Sequence, residues 1–206
     1  MLFKKLSTQW AKAICRTANE TDDYKIAMVR YVFESILSFC LSVSVLLIIA
    51  WLLGIVKQAI MIGLTGAVIK SFTGGLHMST PLRCAVAGAI TLAAISYLSI
   101  FLPITAIPVV VVALILIAVN IIVWRKAPKE TKGKPLSDRQ KVILAILSKI
   151  IILLVSITCL LWTKAWAINE IFYGMVFQVA NLLVLMERGT EQIDHLLGKI
   201  EIKPVF

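Results

Sequence analysis

Val109-Val110-Val111-Val112-Ala113-Leu114-Ile115-Leu116-Ile117-Ala118-Val119-Asn120-Ile121-Ile122-Val123-Trp124 carries no charge, and Arg125-Lys126 follows it at once. A helix rises ~1.5 Å per residue and a bilayer core is ~30 Å thick, so this run approaches the length of a membrane crossing. The stretch after it, residues 125–141, has the opposite character. Seven of its residues are Lys or Arg, against Glu130 and Asp138, and Pro128, Gly133 and Pro135 break it up. An apolar helix ending on a basic, proline-bearing loop is the pattern of a membrane protein, with the loop in the cytosol by the positive-inside rule.

Composition agrees along the rest of the chain. Of 206 residues 60% are hydrophobic, and the mean hydropathy of +0.94 is more than a soluble domain carries. No series of ten-residue alternating segments suggests a barrel. The fold class expected is therefore an all-α integral membrane protein in one domain, residues 1–206, with about six transmembrane helices. The spans fall at about 34–53, 55–70, 84–102, 109–124, 142–162 and 168–186. The second is short and weakly apolar; a re-entrant segment there would throw the basic loop outside, so it counts as a crossing. Both termini then lie in the cytosol, and only Lys57 and Lys164 charge the outer turns.

Ahead of the spans, Leu2, Phe3, Leu6, Trp10, Ala13 and Ile14 recur at helical spacing among Lys4, Lys5, Lys12 and Arg16. Residues 1–21 thus fit an amphipathic helix in the membrane interface. Asp22 and Asp23 suit the start of a helix running from about Tyr24 into the first span. The cytosolic tail, 187–206, carries Ile193, Leu196, Leu197 and Ile200 for a further interfacial helix. The net charge of +10 comes with no nucleic-acid-binding signature, so it is assigned to membrane anchoring.

One polar break interrupts the apolar runs: Lys70-Ser71-Phe72-Thr73-Gly74-Gly75-Leu76-His77-Met78-Ser79-Thr80-Pro81-Leu82-Arg83-Cys84. Ser79 or Thr80 can cap a helix with Pro81 in its first turn, which puts Cys84 at a helix N-terminus. The helix dipole and Arg83 there favour a thiolate. His77, on a chain loosened by Gly74 and Gly75, can fold back to it as a base. Equally, a lone His and Cys seven apart arise by chance, and Cys is an ordinary small residue in membrane helices. Cys15, Cys40, Cys84 and Cys159 form no CxxC pair, so neither a disulfide framework nor a metal site is expected, and no cofactor. Glu34, Gln178 and Asn181 fall near cytosolic span ends, where they can orient His77 or bind substrate. Lys149 can snorkel, and Glu170 is expected near enough to the outer surface to be hydrated.

Gly74-Gly75-Leu76-His77 followed by Cys84, with basic Lys70 before it, resembles the Gly-Gly-x-His…Cys signature of the accessory gene regulator B (AgrB) family. The loop from Arg125 to Leu136 is similar to that family's basic, proline-bearing loop, and the likeness covers nearly the whole chain. Lys70 stands where many members have Arg, which keeps charge but not bidentate recognition, and Met78 is bulkier than the small residue expected.

The resemblance implies a membrane cysteine endopeptidase of the bacterial cell membrane. It would mature an AgrD-like quorum-sensing propeptide with an acidic C-terminal tail, working on the cytosolic side. It implies Cys84 as nucleophile and His77 as base and then acid. Lys70, Gly74, Gly75 and Arg83 would contact or orient the peptide, and a homodimer is compatible with it. A peptide transporter without cleavage, or a membrane scaffold, remains the alternative by composition alone.

Overall fold

The computed structural model describes residues 2–18, 21–75, 78, 80–129 and 137–200, omitting the side chains of 2–5, 81, 82 and 197–200. They form eight α-helices: α1 Leu2–Thr17, α2 Asp23–Leu52, α3 Val56–Thr73, α4 Pro81–Phe101, α5 Val109–Lys126, α6 Asp138–Leu161, α7 Ile168–Ala180 and α8 Val184–Ile200. A 3-10 turn, Ile104–Ala106, sits between the prolines that precede α5.

The helix starts follow local chemistry. Asp22 accepts from the Tyr24 N–H at 2.9 Å and starts α2. Thr80 accepts from the Arg83 N–H at 3.3 Å, with Pro81 in the first turn of α4, where a missing N–H costs nothing. Ser137 and Gln140 close a reciprocal capping box on α6. Each start satisfies donors that would otherwise be orphaned beside hydrocarbon.

Four helices, α2, α4, α5 and α6, are long and apolar enough to cross a membrane, and a fifth crossing results if α7 and α8 count as one broken span. The 18-residue α3 is not among the four; Lys57 and Lys70 lie near its two ends. The sixth apolar run, read from sequence as continuous over 168–186, is divided. α7 stops at Ala180, and α8 leaves at a bend of 78°.

Outward-facing side chains are those of a lipid-exposed bundle. Phe39, Ile48, Leu114, Ile117 and Leu154 are all exposed. In water each would forgo burial worth ~1.5–3 kcal/mol, whereas hydrocarbon accepts them without cost. Cys40 is on this outer surface rather than packed inside, while Cys15 and Cys159 are buried. Ser7, Ala11 and Cys15, four residues apart, are the buried ridge of α1. α1 packs against α2, where Trp10 meets Phe33 edge to face at 5.6 Å.

α7 is the axis of the bundle. Ile168, Phe172, Met175 and Val179 join Ile62, Val123 and Ile152 in the main core. It packs on α3 at backbone distance: a Cβ on Gly174 would lie 2.8 Å from both the Ile62 carbonyl oxygen and Thr65 Cβ. Small residues that let membrane helices meet are the usual solution where no water drives association. α7 also supplies polar groups to turns at both ends. Asn169 accepts from the Ile104 N–H and donates to the Ser99 carbonyl, each at 2.9 Å, and the Tyr173 hydroxyl donates to the Leu102 carbonyl at 2.6 Å. Glu170, expected near water, is buried at 7% exposure because the helix carrying it is central.

Candidate functional site

The polar break lies at the end of the bundle where α3 stops and α4 starts. Thr73, in the last turn of α3, is fully buried and its hydroxyl donates to the Ile69 carbonyl at 3.0 Å. Gly74 follows with φ 72° and ψ −163°, a backbone shape open to glycine and strained for other residues. A Cβ there would collide with the carbonyl of Lys129, because residue 129 pairs with the turn as a short β-bridge. The Lys129 N–H donates to the Thr73 carbonyl at 2.9 Å.

From the other side comes Gln178. Its side-chain N–H donates to the Gly74 carbonyl at 2.9 Å and to Thr73 Oγ1 at 3.4 Å, and the residue is only 2% exposed. A Cβ on Gly75 would sit 3.2 Å from Gln178 Nε2 and 3.2 Å from Lys70 Cε. Gly74 is thus required by the protein's own packing, a reason that sequence reading had sought in the approach of a peptide, whereas a side chain at Gly75 would press only on the movable ends of Gln178 and Lys70. Buried backbone carbonyls need donors, and here a side chain 104 residues away provides one.

Cys84 occupies the first turn of α4, its N–H donating to the Thr80 carbonyl at 3.1 Å, and it is half-buried. It opens into a cavity of about 580 Å³ enclosed by α2, α3, α4, α7 and α8. Lys70, Met78, Gln178 and Asn181 line the same space, and apolar residues such as Phe39, Leu46 and Leu92 form most of the remainder. Lys70 is the basic side chain that lines the cavity together with Cys84.

Other expected site residues are placed differently. Arg83, which sequence reading set beside the thiol, is not a lining residue; its guanidinium pairs with Asp194 of α8 at 3.1 Å. The basic residue that shares the cavity lining with Cys84 is Lys70. Glu34, on α2, is not among the lining residues either. His77 lies outside the described residues. Lys149 reaches the Trp124 ring, its ammonium 5.4 Å from the centroid, and takes no part in the cavity.

Three residues at this end of the bundle were not singled out from sequence: Lys129, Glu187 and Asp194. Lys129 Nζ donates to Glu187 Oε2 at 2.9 Å, so the start of the basic loop is tied to α8 as well as to the turn. Nothing local marks them. Lys129 is one of seven basic residues in its loop, and the acids belong to an ordinary amphipathic pattern. A half-buried thiol, Lys70 and Gln178 thus line one cavity, and Gln178 also bonds the turn at Gly74 beside it.

Against known sequences, the chain matches the family described as Accessory gene regulator B over residues 7–182. The chain belongs to this family. The match runs from within α1 to just past the end of α7, including every lining residue up to Asn181. Membership makes the chain a multi-pass membrane protein involved in maturation of the accessory gene regulator autoinducing peptide. The family generally processes the AgrD propeptide at the membrane, so AgrD is its substrate partner. No curated protein and no solved structure matches the chain.

Proposed function

We propose that this AgrB-family protein is a cysteine endopeptidase that releases the C-terminal tail of an AgrD-like propeptide and allows the remaining core to cyclise. The observation that carries the reading is Cys84: in the first turn of α4, half-buried, open to a cavity that Lys70 also lines. A thiol at a helix N-terminus, in a cavity with a basic residue and room for a peptide segment, meets the first need of acyl transfer.

In the proposed course, the Cys84 thiolate attacks the carbonyl carbon joining core to tail. His77 acts as the base that holds the thiol proton and then delivers it to the departing amine as the C–N bond breaks. The product is a thioester on Cys84 and a free tail. A thiol or hydroxyl within the core then attacks the thioester carbon. The C–S bond to Cys84 breaks, the proton of the attacking group returns through His77, and a thiolactone or lactone ring is released. The thioester stores the activation, so the ring closes without another energy source. Apolar walls around Cys84 favour the internal nucleophile over water.

In this reading α2 to α6 and the apolar run 168–186 make six crossings of the bacterial cell membrane, and both termini and the Cys84 cavity face the cytosol. Gln178, Gly74 and Gly75 shape the turn, Asn181 borders the peptide, and the protein works as a homodimer.

The test uses full-length protein in lipid with propeptide, followed by mass spectrometry. Wild type releases the tail and yields a precursor–Cys84 thioester. Cys84→Ala abolishes both, and His77→Ala lowers tail release by ~10²–10⁴-fold, the usual worth of a positioned acid–base group. A transporter or scaffold leaves the precursor whole, and undiminished release by Cys84→Ala sinks the proposal.

A further inference from the structure

Two ion pairs cross from the rim of the Cys84 cavity to α8. Arg83 Nη1 lies 3.1 Å from Asp194 Oδ1 and also donates to the Asp194 carbonyl at 3.3 Å. Lys129 Nζ lies 2.9 Å from Glu187 Oε2. The cations come from separate segments. Arg83 is the neighbour of Cys84 on α4, and Lys129 is bonded through its backbone to the turn that ends α3. The acids come from one helix, seven residues apart, so they share a face and stand ~10 Å apart along its axis.

α8 is the element least secured by packing. It leaves α7 at a bend of 78°, and no helix shares an extended packing face with it. Its inner residues Met186, Gly189, Thr190 and Ile193 form a wall of the cavity. Leu196, which is not a lining residue, is exposed, as is Leu185 at the cavity edge, and this suits a helix lying on a membrane surface. The ion pairs are partly shielded, with side-chain exposures of 13% and 19% in one and 20% and 39% in the other. Pairs of this kind are screened less than open surface pairs and give α8 a charge-dependent attachment.

We propose that Arg83 and Lys129 form a two-cation site for an acidic peptide segment, and that α8 is a latch whose Glu187 and Asp194 fill this site until that segment displaces them. The proposal rests on the reading that Cys84 cuts a peptide, and it names the part of the protein that takes the acidic side of the cut. The two carboxylates on α8 are the internal counterpart of the ligand. Extended peptide spans ~3.3 Å per residue, so acids about three residues apart reproduce the ~10 Å spacing. Arg83 directs its guanidinium to α8 rather than into the cavity, so one end of such a segment is held at the end of α4 that carries Cys84, outside the cavity itself. An acidic segment opens the latch only by binding the open state better than the closed one, which direct competition for the same cations ensures.

The experiment uses full-length protein in nanodiscs of phosphatidylcholine. Latch closure is read as the rate at which a charged, membrane-impermeant maleimide modifies Cys84, located by mass spectrometry. Occupancy is read from the anisotropy of a fluorescein-labelled Asp/Glu hexapeptide. E187Q/D194N is expected to raise the modification rate and tighten the hexapeptide each about tenfold, a coupling of ordinary size. K129E/E187K rebuilds one ion pair with the charges exchanged. It is expected to keep the wild-type modification rate while weakening the hexapeptide about tenfold.

E187Q/D194N at wild-type values in both measurements overturns the latch. K129E/E187K binding hexapeptide as wild type does overturns the cation site. If adding phosphatidylglycerol speeds modification and the hexapeptide does not, lipid headgroups are the occupant and the proposal fails. These readouts need only that Cys84 face the cavity. A Cys84→Ala protein that still released the tail would overturn the catalytic reading and leave them standing.

Discussion

At the scale of single residues, Gly74 is where the site is least tolerant of change. Its positive φ costs a side-chain-bearing residue ~1–3 kcal/mol, and the Lys129 carbonyl stands where a Cβ would go. Gly74→Ala must therefore either shift residue 129 or break the bridge between the turn and the basic loop. We expect tail release to fall at least ~10-fold, the rate equivalent of ~1.4 kcal/mol, in a protein that still folds into the membrane. Wild-type cleavage by Gly74→Ala would show that the bridge is dispensable. The residues at this site were readable from the chain in unequal measure. Gly74, Gly75, Gln178 and Cys84 stood out because polar or flexible residues are costly in apolar surroundings. What each touches did not, since Gln178 and Lys129 reach the turn across 104 and 56 residues of chain respectively.

At the scale of elements, α7 and its packing on α3 decide how the site end is held. Gly174 and Gly88 are both helical glycines, yet they differ in surroundings. A Cβ on Gly174 meets the Ile62 carbonyl at 2.8 Å, while one on Gly88 meets nothing within 4 Å. Gly174→Ala should therefore destabilise by ~1–3 kcal/mol through overpacking. Gly88→Ala should be neutral or stabilise by up to ~1 kcal/mol through helix propensity. Thermal unfolding in detergent measures both, and equal shifts would disprove close α3–α7 contact. Helix starts were legible because caps are local: Asp22 and the Thr80-Pro81 pair begin helices as their chemistry predicts. The division of the sixth apolar run was not legible. Asn181 is the one polar residue at the bend and Leu182 to Met186 continue apolar beyond it, so hydropathy gives little sign that α8 turns away.

At the scale of the whole molecule, the charge pattern predicts how the bundle sits in its membrane. Lys57 and Lys164 lie on one side of the proposed six crossings, and residues 125–141 with the Cys84 cavity lie on the other. Single cysteines introduced at residues 57 and 164 should react with an impermeant maleimide in intact cells. One at residue 126 should react only after the membrane is opened. Reactivity of residue 126 from outside would invert the orientation, and protection of residue 57 would make α3 a re-entrant segment. The +10 net charge then has a division of labour. Part of it orients the chain, and part, in Arg83 and Lys129, closes α8 against the cavity.

Hydropathy, loop charge and local caps by themselves determined that this is a helical membrane protein, where most helices begin, and that one polar, glycine-bearing break runs from Lys70 to Cys84. Such properties are carried by neighbouring residues and need no knowledge of the rest of the chain. Only tertiary structure decided that Lys70 rather than Arg83 lines the cavity with the thiol, that Gln178 and Lys129 hold the Gly74 turn, and that α8 is fastened by Glu187 and Asp194. Each of these depends on which helix faces which, and in a lipid-facing bundle that is settled by close-packed small residues and by the need to satisfy buried polar groups. The break at Lys70–Cys84 was visible as chemistry in the sequence; its described parts are held by Lys129, by Gln178 of α7 and by Asp194 of α8.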